Sequence, residues 1–171
     1  MRKLLWAVLV LVSLGTAPAF AQSAARDTTR EQLRSVLTTA GARSDVNAAF
    51  RQSTKNPYNF VTSMTGLTYA DSLEVVVSVT QSNTIGFRVY PHYHGGYINV
   101  DKAANPAGLM HKLLYFSDQN FLFWGADDGG DVFSGYTITL ESGFPADAIV
   151  IVLRSIRNTD KFVGELRTFL T

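Results

Sequence analysis

Between Leu73 and Thr80, apolar and polar positions alternate. Leu73, Val75, Val77 and Val79 fall on one side of an extended chain, and Glu74, Val76, Ser78 and Thr80 on the other. Successive strand side chains point to opposite faces, so the pattern predicts a strand with one buried face. Three neighbouring stretches, Tyr58 to Met64, Ile85 to Tyr90 and Tyr97 to Val100, share its enrichment in β-branched and aromatic residues. Gly66, the polar turn Gln81 to Asn83, and Gly95 with Gly96 separate them, which reads as an antiparallel meander. Two later strands, Asn120 to Ala126 and Val132 to Glu141, flank Asp127, Asp128, Gly129, Gly130 and Asp131. That loop supplies the positive φ values of a hairpin.

Elsewhere the apolar period lengthens to that of a helix. Thr28 and Glu31 read as a capping box ahead of Leu33, Val36, Leu37 and Ala40, with Gly41 closing the helix. Ser44 is placed to cap a second short helix carrying Val46, Ala49 and Phe50, which ends before Asn56 and Pro57. Asn105 and Pro106 open a helix with Leu109, Met110, Leu113 and Leu114 on its apolar side, ending around Tyr115 to Ser117. From Pro145 a stripe of Ile149, Val152, Leu153, Ile156, Val163, Leu166 and Leu170 predicts a final helix, which Asn158 to Asp160 bend or divide. The expected order is α-α-β-β-β(-β)-α-β-β-α, an α+β fold with an antiparallel sheet and flanking helices. It spans residues 22–171 as a single domain, with no internal repeat.

The N-terminus narrows the setting. Arg2 and Lys3 precede an apolar run from Leu4 to Leu14, then Gly15, Pro18 and the triplet Ala19, Phe20, Ala21. This is the order of a secretory signal peptide over residues 1–21. Cleavage is expected after Ala21, with export to the periplasm or beyond. A spanning helix needs about 20 apolar residues, and this run is broken by Ser13, Gly15, Thr16 and Pro18, so no stable membrane anchor is expected. Cleavage removes two of the 15 basic residues and none of the 14 acidic ones, leaving a net charge near −1. No Lys/Arg cluster marks a nucleic-acid partner. The chain has no cysteine, so neither a disulfide framework nor an acylated cysteine is available and the apolar core alone must hold the fold.

The segment Ser117, Asp118, Gln119, Asn120, Phe121, Leu122, Phe123, Trp124, the loop Gly129 to Asp131, the strand to Glu141 and the helix from Pro145 together resemble the YbjN family. The resemblance runs from about Leu33 to Phe169 and implies a fold like that of type III secretion chaperones, often dimeric. It also implies a role in sensory-transduction regulation with no established enzymatic activity, and no catalytic residues to carry over. Those chaperones are cytoplasmic and acidic, whereas this chain carries an export signal and is nearly neutral. The resemblance therefore implies a binding or regulatory module, not a secretion chaperone.

Candidate chemistry is sparse. His92 and His94 flank Tyr93 and would share one strand face, and His111 on the next helix would complete a three-histidine zinc site. Against that stands the ordinary reading of histidines decorating a strand end beside Gly95 and Gly96. Asp127, Asp128 and Asp131 offer oxygen ligands for calcium, but the loop is too short for an EF-hand and lacks its bidentate Glu; a solvated turn is expected. No cysteine and no small-x-Ser-x-small elbow of the hydrolase kind provide a nucleophile. Glu141 and Asp147 are a carboxylate pair whose separation the sequence leaves open.

Most strand aromatics are expected in the core. In the stretch before the acidic loop, Phe121 and Phe123 read onto one face and Leu122 and Trp124 onto the other. Only one face needs a helix layer, so the surplus face is a candidate partner surface. Phe121, Phe123, Trp124 and Tyr136 are its expected residues, with Trp124 either a half-buried anchor or part of an exposed partner surface, because Gly125 and Asp128 leave little room for a closed core. The expectation is an exported, non-enzymatic module without cofactor that binds a protein partner or itself as a homodimer. The alternative is a metal-dependent enzyme or metal-binding protein using His92, His94 and His111.

Overall fold

In the computed structural model, which describes residues 17–171 and their side chains from Gln22 onward, the alternating stretches form one antiparallel sheet. Its strands are β1 (Arg51–Gln52), β2 (Asn59–Met64), β3 (Ser72–Val79), β4 (Ile85–Tyr93), β5 (Gly96–Tyr97), β6 (Phe123–Ala126) and β7 (Val132–Ile138). Their order is β1-β2-β3-β4-β7-β6, with β5 paired to β4. The helices are α1 (Ala17–Gly41), α2 (Pro106–Gln119), α3 (Ala146–Ile156) and α4 (Thr159–Leu170). The expected signal segment up to residue 16 lies outside the described residues. Among the described residues no helix is long and apolar enough to cross a membrane.

Register makes the sheet two-faced. Val75 pairs with Val89 and Val77 with Phe87, Phe60 pairs with Val77, and all of these are buried. They meet Leu33, Leu37, Leu109, Leu113, Ile149, Leu153, Val163 and Leu166 from the helices. Burying each such side chain contributes about 1.5–3 kcal/mol, which is why every helix gathers on this one inner face. Among the described residues no helix lies over the opposite face.

Three expectations are corrected. Helix α1 is already running at Thr28, so the Thr28–Glu31 capping box does not form. The hydroxyls of Thr28 and Thr29 instead donate to the carbonyls of Ala24 and Ala25 one turn earlier. The extra turns are fixed by Arg26, which donates to the Val79 carbonyl at 2.7 Å and lies 3.5 Å over the Tyr58 ring. The second short helix is absent. The chain turns at Asn47, where φ is +47°, and Ala48 donates back to the Gly41 carbonyl at 2.9 Å. A Cβ on Gly41 would overlap the Ala48 carbonyl, so glycine here serves a close approach of two segments. Of the expected strand Tyr97–Val100 only Tyr97 is in β5, and a 3₁₀ turn follows at Val100–Lys102.

Other local signals act as read. The Asn105 side chain accepts from the Gly108 amide at 2.9 Å, with Pro106 in the first turn. The C-terminal helix is divided at Arg157 and Asn158. Just after the break, buried Asp160 accepts hydrogen bonds from the amides of Thr68, Tyr69 and Ala70 at 2.7, 2.9 and 2.8 Å. This carboxylate ties α4 to the β2–β3 connection.

Candidate functional site

The uncovered face of the sheet is built by the second half of each alternation. On β4 the residues opposite Phe87 and Val89 are Arg88 and Tyr90, and register sets Glu74 beside Tyr90 and Val76 beside Arg88. On the other side Gly135 of β7 pairs with Arg88, and Phe123 of β6 pairs with Gly135. Phe123 therefore lies on this outer face, and so does Phe133, two residues from Gly135.

Glycines shape the hairpin. Phe123 is paired with Gly135, and Gly125 with Phe133, so each ring lies across a position without a side chain. A Cβ on Gly135 would stand 2.6 Å from Cζ of Phe123 and 2.9 Å from the Phe87 carbonyl oxygen. A glycine inside a strand marks such a close approach.

The rings join into a stripe across the sheet. Tyr97 meets Tyr90 at 5.8 Å between centroids, Tyr90 meets Phe133 at 5.7 Å, and Phe133 meets Phe123 edge-on at 5.8 Å. These spacings are within the favourable range for aromatic pairs. The guanidinium of Arg88 sits 4.5 Å over the Phe133 ring and donates to the Tyr90 hydroxyl at 3.2 Å. Tyr97 and Phe123, at the two ends, are 41% and 46% exposed. Tyr97, Tyr90 and Phe123 of the stripe, together with Glu74, Asp127 and Asp131, line a shallow depression of about 580 Å³.

The depression is electronegative at the Tyr97 end. The Tyr97 hydroxyl donates to Glu74 at 3.0 Å. Its pKa is pushed up to about 12, first by burial, then by that hydrogen bond and by the charges of Glu74 and Asp131.

Of the four expected partner-binding residues only Phe123 belongs to this surface. Trp124 is a correction: it is 5% exposed, packed on the inner face between Phe116 of α2 at 5.4 Å and Phe162 of α4 at 5.7 Å. The room that Gly125 and Asp128 do not provide comes from these two helices. Phe121 is exposed, but β6 begins only at Phe123, so the alternation does not reach back to Phe121. Its ring rests on half-buried Tyr136 at 5.6 Å, and Tyr136 pairs with Phe87 on the inner side.

The histidines do not converge. His92 faces outward beside Tyr97 at 4.2 Å. After β4 ends the chain turns through His94 and Gly95, both at positive φ, so His94 leaves the alternation and stacks on Tyr93 at 4.0 Å. His111 is exposed on α2. Among the described residues no group of three His, Asp or Glu side chains is placed to hold a metal ion. In the acidic loop Asp127 Oδ1 accepts from the amides of Gly129 and Asp131, and Asp131 Oδ1 accepts from Asn99 Nδ2 at 2.8 Å.

Tyr90, Tyr97 and Phe133 were individually visible as strand aromatics. Their assembly depends on β4 pairing with β7, a contact between distant parts of the chain. The glycines inside β6 and β7 are the local signal for it. No family model matches this chain, and no curated protein or solved structure matches it.

Proposed function

We propose that this protein is an exported, non-enzymatic binding or regulatory module of the YbjN type whose outer sheet face is its binding surface. One observation carries the reading. A six-strand path presents a face over which no helix of the described residues lies, and that face carries a continuous stripe of aromatic rings with exposed ends. Aromatic side chains on a rigid strand lose little entropy on docking and dominate the energies of protein interfaces. Flat sheet faces that stay wet are ordinarily polar.

The test is photo-cross-linking from a reactive residue placed at Phe123 and, separately, at Ile151, an exposed residue of α3 on the helix layer. Adducts with an envelope protein, or with a second copy of the chain, are expected from position 123 and not from position 151. Adducts confined to position 151, or formed equally from both, overturn the assignment.

A further inference from the structure

The outer face also specifies the charge of what it takes. Its depression is lined by three carboxylates, Glu74, Asp127 and Asp131, and by one cation, Arg88. Among the described residues none of the three carboxylates belongs to an ion pair; the acidic members of the ion pairs are Asp27, Glu31, Asp45 and Glu165. Arg88 is turned onto Phe133 and the Tyr90 hydroxyl instead. The molecule thus already holds a cation on one ring of the stripe, while the Phe123 and Tyr97 rings at its two ends stay exposed, Tyr97 with the His92 ring 4.2 Å away.

From this charge balance, and resting on the reading of the outer face as the binding surface, we infer that its partner is a positively charged protein segment. A lysine or arginine side chain lies on the rings of Tyr97 or Phe123, with its charge facing Glu74, Asp127 and Asp131. Aromatic faces attract cations within about 6 Å of the ring centre, and nearby carboxylates add complementarity that fixes partner choice. A second copy of this chain, docked face to face, would bring three carboxylates against three with one arginine on each side. Nucleic acid would meet the same repulsion.

The experiment titrates the mature protein with a synthetic octapeptide of alternating lysine and threonine, and with the same peptide acetylated on every lysine, following amide shifts by NMR. Shifts centred on Tyr90, Tyr97 and Phe123 are expected for the charged peptide, with the acetylated one at least about fivefold weaker. Glu74→Gln, which keeps an acceptor for Tyr97, weakens binding, and Arg88→Gln strengthens it by freeing Phe133. Asp118→Asn, an exposed charge on α2, leaves binding unchanged. Equal binding of both peptides overturns the inference, as does an equal loss from Glu74→Gln and Asp118→Asn. If the charged peptide fails to bind while cross-links still form from position 123, the charge assignment is wrong and the binding surface stands. If both fail, both readings fall.

Discussion

Phe123 and Trp124 are neighbours in one short strand, yet they belong to different parts of the molecule. Trp124 points inward and is closed over by Phe116 and Phe162 from two helices. Phe123 points outward, lies across Gly135 against Phe133, and stays 46% exposed. The inner face of the sheet is held by contacts from helices that are distant in sequence. The outer face is held only by its own cross-strand neighbours. Large apolar area on a strand is therefore no guide to burial until the covering layer is known, and the uncovered face is where apolar surface remains for a partner.

If that contrast is right, inner-face changes cost most. Trp124→Ala is expected to lower folding stability by about 3–5 kcal/mol, read from denaturant unfolding; a loss below 1 kcal/mol would break the contrast. Next comes Asp160→Ala, which strands the amides of Thr68, Tyr69 and Ala70. A loss of about 2–3 kcal/mol is expected, with hydrogen exchange rising first in the β2–β3 connection. An unchanged exchange pattern there would show that the carboxylate does not hold α4 to the sheet. Gly135→Ala sharpens the outer side: the added methyl meets both the Phe123 ring and the rigid Phe87 carbonyl. It is expected to cost about 1–3 kcal/mol, whereas Gly96→Ala, where a Cβ meets nothing within 4 Å, costs less in the same melts.

The smallest effect is one of pH. The Tyr97 phenol is raised from its ordinary value of 10.0 to about 12 in the folded protein, so the folded state holds this proton more tightly than the unfolded chain does. Its contribution to stability is complete below pH 10 and is lost as pH rises from 10 through 12. Tyr97→Phe should flatten the alkaline fall of stability in that window and leave the slope near pH 7 unchanged. A wild-type slope retained in the variant would place the alkaline sensitivity elsewhere.

The strands were legible because alternation is local. Leu73 to Val79 and Ile85 to Val89 declare a buried side whatever lies beyond them, and Asn105 with Pro106 declares a helix start in the same way. The second helix was misread because Val46, Ala49 and Phe50 fit a helical stripe, while the turn at Asn47 answers to the contact of Gly41 with Ala48. The histidine triad fails twice: the positive φ of His94 takes it out of the alternation that carries His92, and His111 stands exposed on α2, on the helix side of the sheet. For the site, the rings could be seen one by one, but the pairing of β4 with β7 that lines up Tyr90 and Phe133 is long-range. The placement of Trp124 depended on Phe162, which arrives 38 positions later in the sequence.

The most direct test of the two-faced sheet compares Phe123→Ala with Trp124→Ala in one set of experiments, measuring the thermal midpoint and binding of the lysine–threonine peptide below it. The account predicts that Phe123→Ala keeps a near-native midpoint and loses binding, while Trp124→Ala melts many degrees lower and, where still folded, binds as the wild type does. If Phe123→Ala lowers the midpoint as much as Trp124→Ala and leaves binding untouched, the outer face is ordinary structure and the account is contradicted.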